Sequence, residues 1–259
     1  TNMSNSTLMK RLLIILGLLV SIAASHVVLA QTEGVITYEV KVNLHRRLPP
    51  NQESMKAMIP EFRITKQQLF FNADESMYKP LIEDEDEDIT TTTHGGGGMR
   101  MTMRIPNDET YINPSSSMYL SKREFLGKDY LINDTLKVSP WKLGTETKVI
   151  MGYECKQAYY TDATQPATKQ EITAWYTDKL RPMLGPERFG TLPGTVLAID
   201  INNGERVIVA RNVELKELKK NDIKVPASGQ KVTQAEFRKI VDEGMKQMGG
   251  GNGRMIIRN

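Results

Sequence analysis

The chain has 259 residues, of which 34 are lysine or arginine and 31 are aspartate or glutamate, so its formal net charge is only +3. This near balance gives no electrostatic indication of a nucleic-acid partner. The single cysteine, Cys155, excludes an internal disulfide and CxxC chemistry, so a packed core must hold the fold together.

Residues 1–30 are typical of a targeting segment rather than of a folded domain. A short basic start at residues 9–11 precedes an apolar run that ends in small residues at Ala30. This pattern predicts a signal peptide cleaved near Ala30, with a non-native or overlong start before it. A membrane anchor is the rival interpretation, because the apolar run approaches the roughly 18 residues that a membrane helix requires. No membrane segment is predicted in residues 31–259.

Alternation of apolar and polar residues with a period of two recurs along most of the remaining chain. Residues 35–42 predict an opening strand with one buried face. The strongest hairpin signal is the Asn203-Gly204 step between the apolar runs 196–201 and 206–210. Because no long helical patterns separate the predicted strands, we expect an antiparallel sheet. The sequence therefore predicts a mainly β domain over residues 31–232.

One segment interrupts this rhythm. Residues 83–98 contain six consecutive acidic residues, four threonines, His94 and four glycines. Like charges repel, and glycines lose much backbone entropy on ordering, so the segment is predicted to be a disordered loop. Ca²⁺ binding by the acidic run is an alternative, although the spacing of a known calcium loop is missing.

The chain between residues 178 and 195 is rich in proline and glycine, including Pro193 and Gly194. Such a segment cannot form a helix interior or a central strand, so it predicts a shaped connection. A helix is predicted later, over residues 233–248, because Thr233 and Glu236 have capping-box spacing and an apolar stripe follows. This amphipathic helix is expected either to cover the sheet or to dock on a partner. A glycine-rich tail, 249–259, ends the chain.

Three patterns, at residues 152–158, 174–177 and 189–197, occur in order and resemble the GLPGLI family of exported bacterial proteins. The run that names that family corresponds here to residues 190–196. The resemblance implies a periplasmic or surface-directed protein without established activity, associated with TonB-dependent outer-membrane receptors. By fold-level analogy, the strand pattern suits a strongly curved half-barrel similar to outer-membrane lipoprotein carriers.

The aromatic residues beside the proline- and glycine-rich connection are the best candidates for recognition, because aromatic side chains supply large contact areas. The core is the alternative place for Trp175. The predicted binding residues are Trp175, Tyr176, Phe189, Leu192, Pro193 and Gly194.

No metal, cofactor or catalytic residue is predicted. A Cu(I) site is a weak alternative, because strand residues two apart share a face and thioethers suit soft metals. Its candidates would be His94, Met99, Met101 and Met103. Cys155 is interpreted as a buried packing thiol, since neither His45 nor His94 lies where a rigid scaffold would position a base.

These features predict an exported periplasmic accessory or binding protein that is not an enzyme. Its expected partner is an outer-membrane receptor or another envelope protein. The alternative is a carrier that holds an apolar or metal ligand in the concave face of the sheet. An enzyme is a third possibility, which would require a pocket with a convergent acid, base and nucleophile.

Overall fold

The computed structural model describes residues 32–48, 50–82, 89–91, 101–103, 107–164 and 169–249. The predicted signal peptide lies outside the described residues, as does most of the predicted loop 83–98. Within that loop, the described residues Ile89–Thr91 form a short strand paired with Met101–Met103. The glycine-rich tail lies outside the described residues after Gly249.

The described residues form fourteen strands and one helix. Two short 3₁₀ segments, His45–Arg47 and Pro50–Ala57, follow the first strand. In chain order the elements are β1 (Gly34–Asn43), β2 (Phe62–Phe71), β3 (Ser76–Pro80), β4 (Ile89–Thr91), β5 (Met101–Met103), β6 (Glu109–Asn113), β7 (Met118–Phe125), β8 (Lys128–Thr135), β9 (Lys142–Ile150), β10 (Tyr153–Asp162), β11 (Gln170–Thr177), β12 (Thr195–Ile201), β13 (Arg206–Leu215), β14 (Gln230–Val232) and α1 (Gln234–Gly249).

Twelve of these strands form one sheet in the order β14-β8-β7-β6-β3-β2-β1-β13-β12-β11-β10-β9. The prediction of a mainly β fold is confirmed, but the sheet is mixed, because β14 runs parallel to β8. The connection between the end of β13 at Leu215 and the start of β14 at Gln230 is long enough for the chain to reach β8 in the parallel direction. Gly229, with φ +113°, brings the backbone so close to β8 that a Cβ there would lie 3.0 Å from the Leu131 nitrogen. The sheet is not closed into a barrel, since β14 and β9 are its two edges.

The two faces of the sheet differ in burial. We call the face that carries Tyr38 and Val40 the inner face, and the face that carries Glu39 and Lys41 the outer face. Tyr38 is fully buried, and its hydroxyl donates a 2.6 Å hydrogen bond to the Val196 carbonyl. Side chains of β1, β2 and β10 to β13 form the main hydrophobic cluster. This core places β12 at its centre, where six of its seven residues are buried.

The connection between β11 and β12 packs against this core, and its predicted irregular shape is confirmed. Leu184, Phe189 and Leu192 are almost fully buried. Gly194 permits the close approach, because a Cβ there would lie 2.2 Å from the Thr177 carbonyl oxygen. The glycine is therefore required by packing against the end of β11.

Helix α1 confirms the predicted C-terminal helix and its capping box. The Thr233 amide donates to Glu236 Oε2 at 2.7 Å, and the Glu236 amide donates to Thr233 Oγ1 at 3.2 Å. Phe237 and Ile240 pack against a small cluster of buried residues on β8 and β14. The helix thus covers the β14 edge region of the sheet. Within the described part of the chain, no helix has the length and apolar character needed to cross a membrane.

Candidate functional site

An open groove crosses the outer face of β11, β12 and β13. Strand register places two rows of three side chains side by side, since directly paired residues share a face. Ala198 is the smallest member of its row and lies between two larger side chains, which creates a depression. The rows are Trp175, Ala198 and Val209, followed by Thr173, Asp200 and Val207.

The groove has a volume of about 500 Å³. Lys148, Glu171, Ile199 and Asn203 complete its lining. We call this site, with the two rows above, the Trp175 groove. It therefore combines an apolar floor with carboxylate, amide, hydroxyl and ammonium groups.

Trp175 forms part of the floor and is only 9% exposed, and it also belongs to the main hydrophobic cluster, the alternative place that the sequence left open. The ammonium of Lys148 lies 4.0 Å from the centre of the indole ring, within the range of a cation–π interaction. Burial lowers the pKa of Lys148, while the nearby carboxylate of Asp200 opposes the shift. Lys148 thus covers one part of the indole and provides a cationic donor beside the acidic residues of the groove.

The β12–β13 turn positions the polar end of the groove. Asn202, Asn203 and Gly204 all have positive φ, as the Asn-Gly pattern predicted. Asp200 Oδ1 accepts a 2.7 Å hydrogen bond from the Gly204 amide. Arg46 donates to the carbonyls of both asparagines at 2.8 Å. These contacts hold Asn203 and Asp200 in place without a ligand.

The Trp175 groove has both charged and apolar groups in its lining. Its charged groups are two carboxylates, Glu171 and Asp200, and the ammonium of Lys148. Its hydrogen-bonding groups surround an apolar floor, which is the usual composition of a ligand site.

The predicted binding residues do not form one surface. Strand alternation directs Trp175 and Tyr176 to opposite faces, and Tyr176 is buried in the core. Phe189 and Leu192 are also buried there. Pro193 is exposed, whereas Gly194 is buried against β11. Trp175 is therefore the one member of the predicted set that lines the groove.

Of the weak metal candidates, His94 and Met99 lie outside the described residues. For Met101 and Met103 the structure describes the backbone of β5. Cys155 is fully buried, and its thiol lies 3.5 Å from the Tyr153 carbonyl. Burial raises the pKa of the Cys155 thiol to about 11, which leaves it protonated at neutral pH. Within the described ranges no three His, Cys, Asp or Glu residues are grouped as metal ligands.

A second group of polar residues was missed by sequence reasoning. It lies on the inner face, and we call it the inner polar cluster. Arg206 forms a bidentate ion pair with Glu187 through both terminal nitrogens of its guanidinium group. Arg123 forms an ion pair with Asp108 at 2.7 Å. Tyr78 completes the cluster through electrostatic contact with these charges. Its members come from distant parts of the chain, so no local spacing could reveal it.

Comparisons with solved structures reveal a similar fold. Two structures of PNGF-II, in different space groups, match this chain with TM-scores of 0.52 and 0.54 at 17% identity. Each match covers 82% of this chain but only 34% and 33% of the PNGF-II chain. The chain thus spans about a third of the length of the structures it resembles. No curated protein matches its sequence.

The GLPGLI interpretation is wrong. The sequence pattern of the N-glycanase peptide, N-terminal domain, matches residues 81–239, which include every motif that suggested GLPGLI. Close backbone packing explains the glycines of residues 190–194, and such packing is not specific to one family. The expected link to TonB-dependent receptors followed from the GLPGLI resemblance and loses its basis. Because the match spans more than half of the sequence, the chain belongs to the family of the N-glycanase peptide, N-terminal domain.

Proposed function

We propose that this domain binds asparagine-linked glycans and acts as a glycan-binding, non-catalytic part of an N-glycanase-type protein. The Trp175 groove is the observation that carries the proposal. The family name supports asparagine-linked glycans as the ligand class. The shared fold with one third of PNGF-II supports a role beside other domains.

The two rows of the Trp175 groove match the two kinds of surface on a sugar ring. A pyranose has an apolar face of C–H groups and an edge of hydroxyls. Trp175, Ala198 and Val209 provide an apolar strip for the first, since aromatic and aliphatic surfaces favour such contacts. Asp200 and Thr173, in the neighbouring row, provide hydrogen-bonding groups for the second.

Glu171 and Asn203 extend the polar side of the groove. Glu171 can accept hydrogen bonds from hydroxyls, and the Asn203 side-chain amide can both donate and accept. The rigid turn around Asn203 reduces the entropy lost when a ligand binds. The groove is consequently preorganised for a neutral, hydroxyl-rich ligand.

The apolar part of the inner face, at β1, β12 and β13, favours the Trp175 groove over an enclosed site for an apolar ligand. Buried side chains of β1, β12 and β13 pack against one another there, and the β11–β12 connection covers them. This packing supports glycan binding on an open face rather than storage of an apolar ligand. Strong curvature of the sheet, as in the predicted half-barrel, would leave the outer face accessible. Export through a signal peptide cleaved near Ala30 is also part of the proposal.

Isothermal titration with a neutral asparagine-linked oligosaccharide tests this function. The double variant Glu171→Ala/Asn203→Ala should weaken binding by about tenfold or more, as expected for loss of hydrogen bonds to the ligand. Glu124→Ala is the matched control, because Glu124 is an exposed carboxylate on β7, outside the groove. Equal affinity of the double variant and the wild type would refute the role of the groove.

A further inference from the structure

We propose that the inner polar cluster is a second binding site, which takes the hydroxyl groups of a saccharide. The choice of a saccharide rests on the proposed function, whereas the location rests on the cluster itself. Its five members are Tyr78, Asp108, Arg123, Glu187 and Arg206.

Strand register places this cluster on the inner face. Tyr78, Thr110 and Ser121 are directly paired across β3, β6 and β7, so all three share one face. Arg123 follows Ser121 by two residues and donates from Nε to its hydroxyl at 3.0 Å. Arg206 is paired with Val42 on β1, on the same face as Tyr38.

The cluster and the Trp175 groove are on opposite faces. Val209 of the groove is paired with Glu39, whereas Tyr38 belongs to the inner face and its ring lies 6.1 Å from the ring of Tyr78. One ligand residue cannot contact both sites across the sheet. Any binding at the cluster is therefore separate from binding in the groove.

The charged members of the cluster are partly accessible. The side chains of Glu187 and Arg206 are 16% and 22% exposed, and those of Asp108 and Arg123 are 21% and 28% exposed. Burial alone would raise the pKa of Glu187, but Arg206 and Arg123 outweigh it and lower the pKa. Glu187 is thus an ionised acceptor at the edge of solvent, hydrogen-bonded by Arg206 and close to the positive charge of Arg123.

Glu187 also has an unusual backbone. Its φ is +52°, a left-handed conformation that a glutamate rarely adopts. The conformation directs the Glu187 carboxylate from the β11–β12 connection to Arg206 on β13. Strained residues of this kind are concentrated at functional sites, where surrounding contacts maintain them.

Two buried polar atoms in the cluster have no hydrogen-bond partner among the described residues: the Tyr78 hydroxyl and Asp108 Oδ1. Burial raises the pKa of Tyr78 well above its usual value, so the phenol is neutral and needs an acceptor. The Asp108 carboxylate is satisfied on one side only: Oδ2 accepts a hydrogen bond from Arg123, and Oδ1 still needs a donor. A hydroxyl group both donates and accepts, so a saccharide supplies what each atom lacks.

The arrangement indicates how a ligand would enter. Glu187, Arg206 and Arg123 are among the charges that act on the Tyr78 hydroxyl. The hydroxyl itself is closed to solvent, so a ligand reaches it only if neighbouring side chains move. In the proposal, ligand hydroxyls replace part of the hydrogen bonding of the charged members and reach Tyr78. Water molecules bound at the two unmatched atoms are the competing explanation.

The variant Tyr78→Phe separates these explanations. It removes the hydroxyl while keeping the ring that packs against Tyr38. Tyr160→Phe is the matched control, because the Tyr160 hydroxyl is also buried without a hydrogen-bond partner in the described structure, and Tyr160 packs against Trp141 instead. Both full-length variants would be studied by native mass spectrometry and thermal unfolding, with the neutral asparagine-linked oligosaccharide as probe.

We expect the wild type and Tyr160→Phe to bind two oligosaccharides and Tyr78→Phe to bind one. The melting temperature of Tyr78→Phe should equal or exceed that of the wild type, since an unmatched buried hydroxyl is removed. Binding of two oligosaccharides by Tyr78→Phe would overturn the proposal, whatever its melting temperature. A lower melting temperature with binding intact would indicate a structural water.

The variant Glu171→Ala/Asn203→Ala distinguishes this inference from the proposed function. If it binds one oligosaccharide and Tyr78→Phe also binds one, both sites are supported. If Glu171→Ala/Asn203→Ala loses all binding and Tyr78→Phe loses none, the site at the inner polar cluster is refuted and glycan binding in the Trp175 groove is supported. If the wild type binds one oligosaccharide and Tyr78→Phe binds none, binding in the Trp175 groove is refuted and binding at the inner polar cluster is supported. No binding by the wild type overturns both.

Discussion

The Trp175 groove and the inner polar cluster lie on opposite faces of one sheet and are assembled in different ways. The groove uses directly paired residues of three neighbouring strands, so its shape follows from strand register and from the small side chain of Ala198. The cluster joins residues from β3, β7, β13 and two connections, through ion pairs such as Glu187–Arg206. The groove therefore depends on the pairing of strands, and the cluster depends on tertiary packing of the β11–β12 connection.

The largest expected effect comes from breaking that packing. Gly194→Val would place a side chain against the Thr177 carbonyl, where even a Cβ would be 2.2 Å from the oxygen. We expect a loss of about 4 kcal/mol or more in the free energy of unfolding, measured by urea denaturation. Gly204→Ala is the control, because its Cβ would meet no atom within 4 Å and only its φ of +88° is unfavourable. A loss of about 1 kcal/mol is expected there.

A smaller loss is expected from the cluster alone. Arg206→Met leaves Glu187 without its main ion-pair partner, at a cost of about 3 kcal/mol for a largely buried carboxylate. Adding Glu187→Gln should restore part of that stability, because the remaining charge is removed. Oligosaccharide binding in the groove should stay unchanged in both variants. Equal stability of Arg206→Met and the wild type would show that the pair is not needed for packing.

Acid should weaken the attachment of the β11–β12 connection to β10. Burial alone would raise the pKa of Asp162, but hydrogen bonds from Thr164 and Arg188 lower it to about 2. A lowered pKa in the folded state stabilises the fold above the unfolded value of 3.8, and this stabilisation is lost as pH falls toward 2. We expect about 2 kcal/mol of pH-dependent stability in that interval, which Asp162→Asn should remove. Urea denaturation at several pH values measures it.

The smallest effect is expected at the floor of the groove. Lys148→Met removes the ammonium 4.0 Å from the Trp175 ring, and a cation–π contact of this kind contributes about 0.5 to 1 kcal/mol. The indole should become more accessible, as measured by acrylamide quenching of tryptophan fluorescence in a Trp141→Phe background. The inner polar cluster should be unaffected. Unchanged quenching would show that Lys148 does not cover the indole in solution.

Local patterns predicted several elements correctly. The Asn203-Gly204 turn and the capping box of Thr233 and Glu236 formed as expected, because both depend on residues within four positions of one another. Trp175 stays a predicted binding residue, and the structure places it in the groove. Its partners in the groove were not predicted, since register between β11, β12 and β13 is not contained in any single strand.

Other features depended on packing between distant parts of the chain. Phe189 and Leu192 looked like recognition residues because they stand in a segment rich in proline and glycine, but that segment folds onto the core and buries them. The GLPGLI assignment depended on short motifs, whose glycines reflect close backbone contact at Gly190 and Gly194 and a positive φ at Gly152 rather than one family. The direction of β14 could not be predicted either, because three residues contain no information about which strand they join.

The sequence by itself determined that the chain is mainly β, that it has one capped C-terminal helix, and that residues 178–194 form an irregular connection. These features depend on alternation, capping and the restricted backbone of proline and glycine, all of which act over a few residues. Only the tertiary structure decided that Trp175, Ala198 and Val209 lie in one row, and that Glu187 pairs with Arg206. Contacts between residues far apart in the chain require the sheet to be assembled first, so no local pattern encodes them.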